Sequence, residues 1–178
     1  PNTSEKYNCW RQVLDKTLKE QGLSASFETL AKLYDTEPNF VSECHSYTHD
    51  LGEKAYQMFA GHENIEMTPK TSYCGYGLYH GFIETLLHSG GTIKQAQDFC
   101  ANAYVQLSAY GAKTNIACYH CIGHGAVDGS DPRAWGDPRK IIEPGLQICR
   151  TVSTLSSQID QCGTGVFNSL AIALNANL

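Results

Sequence analysis

The stretch CGYGLYHGFIETL at residues 74–86 recurs along the chain, with its cysteine and its small residues at matching positions. The matching stretches are CYHCIGHGAVDGS at 118–130 and CGTGVFNSLAIAL at 162–174, so the three copies begin 44 residues apart. A looser copy, CHSYTHDLGEKAY, lies at 44–56. Similarity at a fixed period is typical of repeat proteins, in which each copy is one supersecondary unit.

The apolar residues between these copies follow a helical period, and no segment alternates as a strand does. Start and stop signals predict helices that open near residues 4, 24, 40, 71, 92, 114, 138 and 158, with a break at Gly22 and a cap at Thr92. The predicted fold is therefore all-α. It consists of helical-hairpin repeats of about 44 residues, packed as a curved stack or an α/α-toroid-like bundle in one domain, residues 1–178.

Alignment of the copies on the residue six after the cysteine, or five after it in the looser first copy, places polar side chains on one face of a helix. Residues four apart share a side of a helix, so each copy can be read one turn at a time. The central turn carries His49, His80, His124 and Asn168; the preceding turn carries His45, Tyr76, His120 and Thr164; the following turn carries Glu53, Glu84, Asp128 and Ile172.

Imidazoles and carboxylates spaced by one helical turn can hold one cation without bending the helix. The sequence therefore predicts a transition-metal site, for zinc, copper or iron, in a metal-binding domain. We expect His49, His80 and His124 as its main ligands and His45 and His120 as further ones. The acidic residues of the following turn, Glu53, Glu84 and Asp128, are the candidate catalytic groups, acting on metal-bound water or oxygen.

Three classes of function remain open from the sequence. The copy with Asn168 and Ile172 lacks ligands, which leaves an open side and favours an enzyme acting on a small-molecule substrate. The chain has no nucleophile motif such as GxSxG, which favours a protein that sequesters or delivers a metal ion. A scaffold in which the histidines form a buried, metal-free hydrogen-bond network is the third interpretation.

Residues His49-Asp50-Leu51-Gly52 resemble the signature of the HD-domain metal phosphohydrolases, which are helical and bind divalent metals through His and Asp. That family takes another histidine from an earlier helix, and no residue before His45 in this chain supplies one. The hairpin layout is also similar to the α/α toroids of lanthionine-synthetase-like zinc enzymes, a likeness of architecture alone.

The eight cysteines are an even number, at a density typical of disulfide-stabilised extracytoplasmic proteins. The repeat geometry predicts that a disulfide joins the end of one helix to the start of the next, as Cys100–Cys118 and Cys149–Cys162. The cysteines left over are Cys9, Cys44, Cys74 and Cys121, and we expect four disulfides in all. A secreted or periplasmic location follows as an expectation.

Charge and hydropathy argue against two classes of partner. The net charge is −5, and no basic cluster is longer than Arg139-Lys140, so nucleic acid is an unsuitable partner. The longest mostly apolar stretch, residues 165–174, is far shorter than the roughly 20 residues that span a bilayer, so we expect no membrane insertion of the mature chain. A metal ion is the expected partner, and an open edge of the repeats would allow an oligomer.

Overall fold

The computed structural model describes residues 3–111, 115–127, 134 and 136–175. It is all-helical, with 83% helix and no strand in the described residues, which confirms the predicted fold class. The chain divides into two compact units, Pro1–Gly81 and Phe82–Leu178. A single domain over residues 1–178, built from 44-residue repeats, stays a prediction. Within the described ranges, no helix is both long and apolar enough to cross a membrane.

The first unit begins with a long helix that is broken in the middle. Helix α1, Thr3–Thr36, contains Gly22 at φ +86°, a conformation that L side chains rarely adopt, and this confirms the predicted break. The hydroxyl of Ser26 donates a buried hydrogen bond of 2.9 Å to the carbonyl of Leu14, so the second half of α1 is tied to the first. The helices that follow are α2, Pro38–Val41; α3, Cys44–Ala60; and α4, Tyr73–His88, preceded by a 3-10 turn at Pro69–Ser72.

The single helix predicted to open near residue 40 is in fact two helices, α2 and α3, separated by a turn at residues 42 and 43. Phe40 in α2 is completely buried and packs edge-on against Trp10, with ring centroids 5.4 Å apart. The turn keeps Phe40 in this core and places Cys44 at the start of α3, where it is bonded to Cys74. Tertiary packing and a covalent bond therefore outweigh the local helical preference.

The second unit contains the end of α4 and four further helices: α5, Ile93–Ser108; α6, Asn115–Gly125; α7, Pro138–Val152; and α8, Ser156–Asn175. Thr92 and Gln95 form a capping box at the start of α5, which confirms the predicted cap at Thr92. Phe82 stacks on Phe99 with ring centroids 3.7 Å apart, and α6 packs against α5, α7 and α8. The predicted cap at Thr114 lies outside the described residues.

Three disulfides join consecutive helices: Cys44–Cys74, Cys100–Cys118 and Cys149–Cys162. The second and third are the pairs predicted from the sequence. The expected fourth disulfide is absent, because Cys9 is exposed on α1 while Cys121 is completely buried in α6, and both are free thiols. Burial raises the pKa of the Cys121 thiol well above its usual value, which makes it a poor nucleophile.

These two environments predict a stepwise labelling pattern for the oxidised protein. A maleimide should add one label to the folded chain, at the exposed Cys9, and a second only in denaturant, when Cys121 becomes accessible. Intact mass spectrometry measures both steps, and Cys9→Ser is the control that removes the first label. A denatured, unreduced chain without any label would show that Cys9 and Cys121 are paired, contrary to the structure.

Candidate metal centre

Three imidazoles converge in the first unit: His45 and His49 from α3 and His80 from α4. Their ring centroids are 5.4 Å (His45 to His49), 5.2 Å (His45 to His80) and 5.5 Å (His49 to His80) apart. One ligand nitrogen from each ring lies within 4.8 Å of the other two. Bound zinc accepts imidazole nitrogens at about 2.0–2.1 Å, so small side-chain movements would bring all three nitrogens onto one ion.

Glycines on α4 explain why the two helices come close enough for these rings to meet. A Cβ atom at Gly81 would overlap the backbone carbonyl of His49, and one at Gly77 would overlap the side chain of Thr48 and lie 2.8 Å from the carbonyl oxygen of His45. The α3 backbone therefore occupies the space that a side chain at either position would need. Gly77 and Gly81 therefore permit the close approach of α3 and α4 that brings the three imidazoles together.

One hydrogen bond sets the tautomer of His45. Its Nδ1 atom lies 2.7 Å from the backbone carbonyl oxygen of Cys74. Because a carbonyl oxygen only accepts, the proton of the neutral ring is on Nδ1, and the lone pair is left on Nε2. Metal-binding histidines commonly use such a bond to hold the ring in position and to raise its basicity.

The carbonyl of Cys74 is placed by an unusual turn at the start of α4. Cys74, Gly75 and Tyr76 have φ values of +58°, +65° and +63°, so three consecutive residues are left-handed. For residues other than glycine this conformation costs about 1–2 kcal/mol each, and it persists only where the surrounding structure enforces it. The sequence pattern predicts regular helix here, and the glycine pair at 75 and 77 is the local signal of the turn.

The environment of His49 keeps its imidazole neutral. Burial, together with the neighbouring His45, lowers the pKa of His49 to about 4. His80 is also buried, with 4% of its surface exposed. At neutral pH His49 is therefore unprotonated, as a metal ligand must be. Three imidazole nitrogens would supply three positions of a tetrahedral site and leave the fourth for water or another ligand.

In the second unit the structure brings together Glu84 on α4 and His124 on α6. His124 Nδ1 lies 3.7 Å from a carboxylate oxygen of Glu84, and His124 is buried. Burial raises the pKa of the Glu84 carboxyl, and the nearby His88 opposes this shift. A Cβ at Gly125 would lie 2.9 Å from the Cα atom of Glu84, so the two helices touch here as well. A shared ion for His124, His49 and His80 stays a prediction.

His120, the remaining predicted ligand, is hydrogen-bonded to α8. Its Nδ1 atom is 3.0 Å from the hydroxyl of Thr164, which itself donates to the carbonyl of Gln161, so His120 is the donor. The side-chain amide of Asn168 donates to Nε2 of His120 over 3.5 Å. Both ring nitrogens of His120 are therefore hydrogen-bonded to residues of α8, the helix of the repeat copy in which no metal ligand is predicted.

The other acidic residues do not join the three imidazoles of the first unit. Glu53 is exposed and accepts a hydrogen bond of 3.1 Å from Gln57. Asp50, the acidic residue of the HD-like sequence, forms an ion pair with Arg11. Asp128 lies outside the described residues. His62 and His88 are exposed.

Comparison of this chain with protein-family models, with curated proteins and with solved structures finds no match. The function is therefore inferred from the geometry and chemistry of its residues.

Proposed function

We propose that this chain is an extracytoplasmic protein that binds a transition-metal ion, namely zinc, copper or iron, through His45, His49 and His80. The convergence of three imidazole nitrogens within 4.8 Å, from two helices in backbone contact, carries the proposal. Three imidazoles suit each of these metals. Because disulfides form and persist in oxidising compartments, the three disulfides support the extracytoplasmic location.

A metal ion accounts for this cluster better than a metal-free histidine network does. The Nδ1 proton of His45 is already donated to the Cys74 carbonyl, so the Nε2 lone pair of His45 needs a donor from elsewhere. His49 stays neutral down to a pH of about 4. Protonation of this ring would place a positive charge in a partly buried position beside the other two imidazoles. A metal ion can accept a nitrogen lone pair from each of the three rings at once.

Matched contacts support the proposal that the copies are repeated hairpins. In the first unit, a Cβ at Gly77 would lie 2.8 Å from the carbonyl oxygen of His45, and one at Gly81 would overlap that of His49. In the second unit, the aligned residues on α8 repeat the pattern: a Cβ at Gly165 would overlap the carbonyl of His120, and the Ser169 hydroxyl donates to the carbonyl of His124. The same positions thus serve helix contact in both units.

Binding is proposed in preference to catalysis because neither acidic residue of α3 is directed to the imidazoles: Glu53 is exposed, and Asp50 forms an ion pair with Arg11. Within the described part of the first unit, no carboxylate joins the three imidazoles as a ligand or as a base. Catalytic roles for Glu84 and Asp128 stay predictions, as does a small-molecule substrate.

Metal titration of the oxidised protein tests the proposal. We expect about one equivalent of Zn²⁺ or Cu²⁺ to bind, and the affinity to fall about 100-fold or more in the double variant His49→Ala/His80→Ala, because two of three ligands are lost. Isothermal titration calorimetry and metal analysis after gel filtration give the stoichiometry. The control is His62→Asn, which removes an exposed histidine at φ +65° and keeps a residue that tolerates this conformation.

The titration also separates the alternatives. Binding of less than about 0.2 equivalents, unchanged in the double variant, would overturn the proposal. If the double variant then also lost thermal stability, the histidines would form the metal-free network of a scaffold.

A further inference from the structure

One disulfide lies directly beside the proposed metal centre. Cys44 immediately precedes His45 on α3, and its partner Cys74 supplies the carbonyl oxygen that accepts the hydrogen bond from His45 Nδ1. The disulfide therefore connects Cys44, the residue before the ligand His45, to Cys74, the residue whose carbonyl orients His45. The other two disulfides belong to the second unit, away from these three histidines in the sequence.

The disulfide also maintains the left-handed turn. Cys74 and Tyr76 are not glycines, so the turn at 74–76 relaxes toward right-handed helix unless another interaction holds it. The covalent bond from Cys74 to α3, with Cα atoms 5.6 Å apart, is such an interaction. Relaxation of the turn would rotate the Cys74 carbonyl away from His45 and release its ring.

This disulfide is also the most accessible of the three. Of the six paired cysteines, all of which the structure describes, Cys74 alone is only half-buried, and the other five are buried. We therefore expect a thiol reagent to attack Cys74 before it attacks any other paired cysteine.

We propose that the Cys44–Cys74 disulfide regulates metal affinity, so that its reduction by a dithiol weakens binding at His45, His49 and His80. This inference rests on the proposed metal-binding function. One thiolate of the dithiol attacks the Cys74 sulfur and displaces the Cys44 thiolate, which takes up a proton. The second thiol of the dithiol then closes its own disulfide and releases Cys74 as a thiol. Two electrons and two protons pass from the dithiol to the protein.

A competition titration with a chromogenic zinc chelator measures the effect. We expect Cys44→Ala/Cys74→Ala to bind Zn²⁺ about 10–100-fold more weakly than the wild-type protein, the range found when a hydrogen-bond partner of a metal-binding histidine is lost. The matched control, Cys149→Ala/Cys162→Ala, removes a disulfide of the second unit and should leave the affinity unchanged. All titrations are made at a temperature at which far-UV circular dichroism shows every variant folded.

A second variant distinguishes an effect of the left-handed turn from a general loss of stability on removal of the disulfide. Cys44→Ala/Cys74→Gly also lacks the disulfide, but glycine adopts the left-handed conformation without steric cost. We expect it to bind Zn²⁺ more tightly than the Cys74→Ala version. In the metal-free proteins, ¹⁵N spectra of the imidazoles should show a fixed Nδ1–H tautomer for His45 in the wild type and a mixture of tautomers in Cys44→Ala/Cys74→Ala.

The outcomes distinguish this inference from the proposed function. Equal zinc affinity in the wild type and in folded Cys44→Ala/Cys74→Ala would overturn the regulatory role and leave the metal site in place. An equal loss in the control variant would also overturn it, because the effect would then be one of general stability. Absence of zinc binding by the oxidised wild-type protein would instead refute the metal site itself, and the regulatory role with it.

Discussion

Replacement of Gly81 by alanine is expected to lower the free energy of unfolding by about 3 kcal/mol or more and to weaken metal binding in the same variant. The added methyl group would overlap the backbone carbonyl of His49, which cannot rotate away as a flexible side chain can. Helices α3 and α4 would have to separate at this point. Because His49 and His80 lie on these two helices, the separation also moves two ligands apart.

Urea unfolding followed by circular dichroism measures the first effect, and the shift of the melting temperature on addition of Zn²⁺ measures the second. A ligand that binds only the folded state raises the free energy of unfolding by RT ln(1 + [L]/Kd), so the wild type should gain stability with zinc and Gly81→Ala should gain much less. The control is Glu53→Ala on the exposed face of α3, which should change stability by less than about 0.5 kcal/mol. Wild-type stability in Gly81→Ala would contradict the close contact between the helices.

Alanine substitutions at two glycines of α8, Gly165 and Gly163, are expected to change the free energy of unfolding in opposite directions. A Cβ at Gly165 would overlap the carbonyl of His120 and lie 2.7 Å from the amide nitrogen of His124, so Gly165→Ala should cost about 3 kcal/mol or more. A Cβ at Gly163 would meet only the Leu146 side chain, at an ordinary contact distance of 4.0 Å. Gly163→Ala should therefore raise the stability by about 0.5–1 kcal/mol, because alanine favours the helix.

The pair is its own control, since both changes add one methyl group to the same helix. Denaturant midpoints and slopes for the two variants, measured together, decide the result. Similar free energies of unfolding for the two variants would show that the contact between α6 and α8 is not as close as the structure places it.

The sequence predicted the features that depend on local chemistry or on the repeat. The break at Gly22 and the capping box at Thr92 follow from backbone preference and from side-chain hydrogen bonding within one turn. Cys100–Cys118 and Cys149–Cys162 follow from the repeated position of a cysteine at the start of a helix. Each of these features can be predicted from a few neighbouring residues or from the 44-residue spacing of the copies.

The features that the sequence did not predict depend on distant parts of the chain. The turn between α2 and α3 reflects the burial of Phe40 against Trp10, 30 residues earlier. The left-handed turn after Cys74 is enforced by a bond to α3 and contradicts the local helical pattern.

The exposed position of Glu53 has a geometric cause. Four residues advance a helix by about 400°, so each step of four drifts by about 40°. By the second step from His45, the side chain has turned toward solvent. Spacing by four thus places the rings of His45 and His49 side by side, and it becomes less reliable with every further turn.

The three disulfide loops, at residues 44–74, 100–118 and 149–162, follow one another along the chain without crossing or enclosing each other. Each loop is short, so the entropy lost on closing it is small, and each can close before the next pair of cysteines has been synthesised. Oxidation can therefore proceed from the first pair to the last, in the order in which the chain emerges. Correct pairing then needs no long-range search, and thiol exchange among wrongly paired intermediates is reduced to competition from Cys9 and Cys121.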